Sequence, residues 1–227
     1  MDYSVVIPAA GSGTRMGAGR NKLFLELAGK PIITYTLKLF EEDPWCSRVI
    51  LATKPEEAPI FKALIENEGL QKVEAIVPGG ADRQESVKKG LDSLHGDGIV
   101  LIHDGARPLV EIALIHQLVQ EVEKSNAAIL AVPLKDTIKK EYNGKVVETL
   151  NREELWAAQT PQGFRLSLIK EAHEKAIASG LKGTDDASLL EAAGQPVVIV
   201  KSNYQNLKVT TPEDLIIAEY FIAGRES

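Results

Sequence analysis

Residues 5–22 read VVIPAAGSGTRMGAGRNK, and their types and spacing suit the binding of a polyphosphate. A short apolar β-run of Tyr3, Val5, Val6 and Ile7 stops at Pro8, and the residues after it, Ala9, Ala10, Gly11, Ser12 and Gly13, carry almost no bulk. Arg15 and Lys22 follow, with Arg20 between them. Small residues let backbone N–H groups close on an anion, and oriented amides form an anion-binding concavity. Arg and Lys add full positive charge at the same place. The small residues are therefore expected to cradle phosphates, and the cations to neutralise them. The plainer alternative is a tight strand-to-helix turn with solvated cations.

Two better-known glycine loops are excluded. The P-loop string G-x-x-x-x-G-K-[ST] does not occur. The dinucleotide fingerprint needs G-x-G-x-x-G, whereas Gly11, Gly13 and Gly17 are spaced G-x-G-x-x-x-G. The second expected strand, 49–52, runs out at Thr53-Lys54-Pro55 with no carboxylate to hold a ribose. An NAD-linked oxidoreductase is disfavoured on both counts.

Two further segments carry chemistry. Residues 102–108 read IHDGARP and follow the fourth expected strand. In parallel sheets ligands bind outside the carboxyl ends of the strands, so Asp104 is placed at the active edge. A hard divalent cation such as Mg²⁺ takes carboxylate and phosphate oxygens together, which makes Asp104 a candidate metal ligand. Arg107 can pair bidentately with a phosphate; a structural Asp–Arg pair in a turn is the alternative. Residues 78–87 read PGGADRQESV after the third strand. Gly79 and Gly80 let backbone approach a flat ligand, and Ser86 can hydrogen-bond a base edge or ribose; a simple turn before a helix would look the same. The four histidines lack metal-ligand spacing, lone Cys46 has no zinc-like partner motif, and no G-x-S-x-G nucleophile elbow occurs.

These segments need a scaffold, and the hydrophobic pattern supplies one. Residues 49–52, 73–77, 99–102 and 127–132 are nearly continuous apolar runs, as in strands buried on both faces. Between them, 32–40, 60–65, 87–94 and 112–122 carry apolar residues at helical spacing. Later elements are helices at 166–178 and 185–193, a strand at 197–200, and a last helix with Thr211 as N-cap, Pro212 first and Asp214 in a capping box. The alternation predicts an α/β fold, a Rossmann-like, mostly parallel sheet flanked by helices, in one domain spanning 1–227. Residues 137–149, TIKKEYNGKVVET, break the pattern: Asn143-Gly144 is a type I′ hairpin signal between β-capable residues. The hairpin is too polar for a buried pair and marginal alone, so a projecting arm that leans on a second subunit is expected. Folding back over its own domain is the alternative.

The chain has 227 residues, 44% of them hydrophobic and 26% charged, enough for a sizeable core. A net charge of −6 argues against a nucleic-acid or anionic-membrane binder, so an anionic ligand must meet locally clustered cations. The single cysteine excludes an intrachain disulfide. The first strand starts at once and no apolar run approaches the ~20 residues of a membrane span, so a cytoplasmic protein is expected.

The loop P-A-A-G-x-G-x-R-M followed by Lys22 resembles the nucleotidyltransferases that join a nucleoside triphosphate to a sugar or sugar-alcohol phosphate. Within that group the chain is similar to the 2-C-methyl-D-erythritol 4-phosphate cytidylyltransferases of the non-mevalonate isoprenoid pathway, over nearly its whole length. HDGARP matches their HD-A-ARP element with Gly105 for the usual Ala. Gly79, Gly80, Arg83, Ser86 and Val87 match an element that frames the cytosine and ribose; Ala81 stands where some relatives have Asp. Asp136-Thr137, Asn151-Arg152, 159–162 (QTPQ) and 206–210 (NLKVT) also fit. The resemblance implies that Thr137, Arg152 and Thr160 hold the acceptor phosphate compound and that Lys208 positions it. It implies transfer of a cytidylyl group from CTP, Mg²⁺ near Asp104, Arg15 and Lys22 at the α-phosphate and pyrophosphate, and a homodimer joined by the arm. Taken alone, Arg152 and Lys208 would read as surface cations. Thr184-Asp185-Asp186-Ala187 also fits the family, but reads more simply as a helix start. A cytidylyltransferase for another polyol phosphate, such as ribitol 5-phosphate, and an inactive nucleotide-binding module are the remaining alternatives.

Overall fold

The protein is described from a computed structural model, over residues 1–11 and 21–224. The chain opens with β1 (Tyr3–Pro8) and, past a short ribbon of β2 (Glu26–Leu27) and β3 (Lys30–Pro31), enters α1 (Ile32–Glu42). Strand and helix then alternate: β4 (Cys46–Thr53), α2 (Ala58–Glu68), β5 (Val73–Pro78), α3 (Arg83–Asp92), β6 (Ile99–Ile102), α4 (Ile112–Ser125) and β7 (Ala127–Pro133). A hairpin, β8 (Lys139–Tyr142) and β9 (Lys145–Thr149), precedes β10 (Trp156–Arg165) and α5 (Leu166–Ser179). The chain finishes with α6 (Asp186–Ala192), β11 (Val198–Lys201) and α7 (Pro212–Ala223).

Seven strands form one sheet in the order β11-β7-β10-β6-β1-β4-β5. The strands are parallel except β10, which runs antiparallel between β6 and β7. The sequence pattern did not predict β10, because its stretch AAQTPQGF is poor in strand formers and holds a proline. Pro161 is accommodated in a register break between Ala158 and Gln162, where the ladder does not need its missing N–H. Because β10 runs backwards, its first half lies at the same sheet edge as the carboxyl ends of β6 and β7: Trp156 pairs with Pro133 and Gln162 with Ile102.

Side chains that alternate along the strands build two cores. Val5 and Ile7 face α1, α2 and α4, together with Leu51, Leu101 and Leu130. Val6 faces α3, α5 and α6, together with Ile50, Val100 and Ile102. A smaller cluster of Leu27, Ile32, Leu109, Val209, Ala218 and Ile222 seats α7 beside the ribbon. Thr211 caps α7 and Asp214 completes its capping box, as the sequence predicts.

The hairpin β8–β9 forms its own two-stranded sheet and is exposed at every position of both strands. Asn143 and Gly144 both have positive φ, 51° and 75°, the geometry of the expected type I′ turn.

Candidate active site

The carboxyl ends of β1, β4, β5 and β6 open onto a cleft of about 490 Å³. Ala9, Ala10 and Gly11 line it after β1, Lys54 after β4, Gly80 to Arg83 and Ser86 (but not Gly79) after β5, and Asp104 to Ala106 after β6. Lys22 comes from the segment before α1, and Lys208 from the segment before α7. The expected site residues Ser12, Gly13 and Arg15 lie outside the described residues.

The walls are braced from behind. Asn21 is buried; its side-chain amide donates to Ala9 O and to Glu57 Oε2, both at 2.8 Å, and its Oδ1 accepts from Leu23 N–H at 3.1 Å. It therefore joins the two described ends of the glycine loop and ties them to the segment after β4. Gly79 meets a close approach: a Cβ there would sit 2.5 Å from Ala10 Cβ. The Ser86 hydroxyl accepts from Gly80 N–H at 2.9 Å and donates to Asp82 O at 2.8 Å, holding the two-glycine turn against α3. Lys22 Nζ donates to Val209 O at 2.9 Å, so one cation of the loop already touches the segment that carries Lys208.

Charge concentrates at Asp104. Its Oδ1 lies 3.1 Å from Arg83 Nε and its Oδ2 2.7 Å from Lys208 Nζ. Burial opposes its ionisation, but Arg83 and then Lys208 outweigh that and hold the carboxyl well below the usual range. Arg83 also donates from Nη1 to Asp186 Oδ2 at 2.7 Å, so two different N–H groups of its guanidinium are engaged by carboxylates. Burial likewise opposes the charge on Asp186, and Arg83 and His173 hold its carboxyl below the ordinary value.

A buried neutral chain aims the backbone beside this centre. Asp104 N–H donates to Thr160 Oγ1 at 3.0 Å, and Thr160 Oγ1 lies 3.2 Å from His103 Nδ1. His103 Nε2 lies 3.1 Å from Arg107 O. A carbonyl only accepts, so Nε2 carries the proton and Nδ1 accepts from the threonine hydroxyl. Burial pushes His103 down to about 4, which keeps the ring neutral.

Not every expected residue meets in the cleft. Arg107 points elsewhere: its Nη1 donates to Asn206 O at 2.7 Å, anchoring the segment that leads to Lys208. Thr137 and Arg152 are exposed at the base of the hairpin and do not line the cleft; Arg152 Nη1 donates to Lys135 O at 2.8 Å. No group of three His, Cys, Asp or Glu side chains suited to a metal occurs among the described residues. Asp104 fits a Mg²⁺ of the kind held by one carboxylate and substrate phosphates, because each carboxylate oxygen keeps a lone pair beyond the one given to Arg83 or Lys208.

Asn21, Glu57, Lys54 and His103 are not among the expected site residues. Asn21 was detectable in principle, since an Asn beside Lys22 at the end of a tight loop suits loop closure. The Asn21–Glu57 and Arg83–Asp186 pairs join residues 36 and 103 positions apart, and nothing local marks them. Asp185 caps α6 and Asp186 stands in its first turn, as expected; Asp186 is in addition a buried ion-pair partner.

Residues 3–224 match the family described as IspD, 2-C-methyl-D-erythritol 4-phosphate cytidylyltransferase. The chain is 54% identical to the protein of that name from Halalkalibacterium halodurans, over 100% of this chain and 99% of the relative. It is 52% identical to the one from Geobacillus kaustophilus, over 99% of each. The fold is similar to the crystal structure of the Thermus thermophilus cytidylyltransferase of the same name, with a TM-score of 0.82 and 33% identity over 98% of this chain and 100% of that one. It is also similar to 4-diphosphocytidyl-2C-methyl-D-erythritol synthase from Anaerococcus prevotii, with a TM-score of 0.84 and 32% identity over 98% of both chains. No helix among the described residues is long and apolar enough to cross a membrane. With its fold and sequence both matched over nearly the full length, the chain belongs to the 2-C-methyl-D-erythritol 4-phosphate cytidylyltransferase family.

Proposed function

We propose a division of labour within the cleft for the family's reaction, in which a cytidylyl group passes from CTP to 2-C-methyl-D-erythritol 4-phosphate, giving 4-diphosphocytidyl-2-C-methyl-D-erythritol and pyrophosphate. The observation that carries it is the Lys208–Asp104–Arg83 array, set between the glycine loop and the two-glycine turn. The backbone of Ala9, Ala10, Gly11, Ser12 and Gly13 cradles the triphosphate. Gly79, Gly80, Arg83 and Ser86 form the wall for the cytosine and ribose.

The acceptor phosphate is already ionised, so no strong general base is needed and catalysis is positioning plus charge neutralisation. Arg15 and Lys22 stabilise charge growing on the α-phosphate and the leaving pyrophosphate. Lys208, aimed by Asp104, orients the acceptor phosphate in line, and Thr160, which does not itself line the cleft, holds the Asp104 backbone from behind. Arg107 acts from behind by fixing the backbone at Asn206. Lys54 adds a cation to the wall between the glycine loop and Gly80. A Mg²⁺ held by Asp104 and the triphosphate supplies further charge neutralisation when bound.

Thr137 and Arg152 need a second chain in this reading. Both lie outside the cleft of their own chain, flanking a hairpin that exposes Tyr142, Val146 and Val147 at 69%, 62% and 55%. A two-fold dimer that buries these side chains brings the base of each arm to the partner's cleft. The test is pyrophosphate release with each nucleoside triphosphate and a panel of polyol phosphates. CTP with methylerythritol phosphate is expected to be fastest. Faster turnover of ribitol 5-phosphate would overturn the acceptor, and equal use of ATP would overturn the cytosine wall.

A further inference from the structure

Behind the cleft wall lies a charge that the transfer itself does not require. Asp186, the first residue of α6, is 1% exposed and does not line the cleft. Its Oδ2 accepts from Arg83 Nη1 at 2.7 Å, and its Oδ1 lies 3.4 Å from Nε2 of His173, a fully buried residue of α5. Helix capping does not explain it, because Asp185 already supplies the side-chain cap of α6. A carboxylate this deep is costly unless paired, and the partner that pairs it here is Arg83.

Arg83 connects it to the reacting groups. The guanidinium is planar and rigid, so a bond that fixes one edge fixes the other. Nη1 is held by Asp186, while Nε reaches Asp104 at 3.1 Å, and Asp104 in turn holds Lys208 at 2.7 Å. Each carboxylate also has a second partner, Lys208 for Asp104 and His173 for Asp186.

We propose that Asp186 is a positioning residue for cytidylyl transfer: through Arg83 it sets the orientation of Asp104 and thereby the placement of Lys208, with His173 backing Asp186 from α5. The inference rests on the assignment of Asp104 and Lys208 to the transfer. The competing view is that Asp186 and Arg83 merely staple α6 to α3.

A double-mutant cycle separates the two. Asp186→Asn keeps the shape and an acceptor oxygen but removes the charge. It is expected to lower kcat about tenfold, leave KM for CTP within about twofold, and leave the melting temperature nearly unchanged. Arg83→Gln should lower kcat at least as far, and the Arg83→Gln, Asp186→Asn double variant should be no slower than Arg83→Gln alone, because both act through one path. A kcat for Asp186→Asn within about twofold of wild type, or losses that multiply in the double variant, overturns the proposal. If Asp186→Asn does not fold, His173→Gln replaces it in the same cycle; a lowered kcat that vanishes in the Arg83→Gln background supports the path, and an unchanged kcat overturns it. An inactive wild-type enzyme would count against the transfer assignment itself, and so is distinguishable from failure of the Asp186 path.

Discussion

The nucleotide wall and the hairpin arm stand at opposite extremes of the same molecule. On the wall, Asn21, Ser86, Asp104 and Thr160 are buried, and each makes at least two hydrogen bonds or ion pairs. On the arm, all nine residues of β8 and β9 are exposed, three of them large and apolar. The described part of the wall is braced within one chain, an arrangement suited to a highly charged ligand, for which fixed dipoles do the most good. The arm is unfinished alone, since an isolated two-stranded hairpin is marginal in water. The difference is what motivates the proposal that one substrate's site is intrinsic to the fold while the other's is completed by assembly.

The largest expected effect breaks the arm. Replacing residues 138–148 with a short glycine bridge should abolish acceptor turnover and yield monomer, while CTP binding survives on the sheet edge. Light scattering with calorimetric CTP titration checks this; an intact, fully active dimer would make the arm ornamental. Next comes the wall's charge. Lys22→Ala and Arg15→Ala should each lower kcat by about 10²-fold or more, with CTP binding weakened less, as steady-state kinetics and titration would show. Near-normal kcat in Lys22→Ala would reduce that residue to a tether for Val209.

Smaller effects sharpen the boundary between the two regions. Thr160→Val leaves the buried Asp104 N–H without its acceptor, at a cost of about 1–3 kcal/mol in denaturant unfolding, whereas Thr160→Ser should restore most of it. The smallest effect on activity is a pH dependence of stability. The folded-state value of His103 is depressed from 6.5 to about 4, so the unfolded chain takes up that proton first. Stability should therefore fall as pH drops through about 6.5 and level off near 4, a contribution of about 3 kcal/mol. Unfolding measured from pH 7 to 4 should show a shallower slope in His103→Asn; an unchanged slope would place the proton uptake elsewhere.

Much of the wall was legible in the sequence because its signals are local. The glycine loop, the HDGARP turn, the two-glycine turn and the Thr211–Asp214 box each occupy a few consecutive residues, and the buried parallel strands are written as apolar runs. What was not legible depends on distant partners. β10 has weak strand propensity and is a strand because β6 and β7 flank it; the lack of side chain at Gly163 lets Val122 of α4 and Leu101 of β6 close over it. That strand delivers Thr160 to the site. The Arg83–Asp186 bridge depends on α5, packed on α3, carrying the start of α6 to the start of α3, which no local pattern announces. Arg107 shows the opposite problem: a phosphate-binding residue type was plain, but its direction was not, and it turns toward Asn206.

The central claim, a wall complete in one chain and an acceptor site shared by two, is tested most directly by mixing two inactive enzymes. Lys22→Ala disables the wall, and Thr137→Val combined with Arg152→Ala disables the arm. After subunits exchange, the mixed dimers contain one site with an intact wall and an intact arm from opposite chains. About half of the dimers are then mixed, each with one of two sites restored, so pyrophosphate release should recover to about a quarter of wild type. Activity no greater than the sum of the two separate variants, with exchange verified, would contradict the shared site and place acceptor binding within a single subunit.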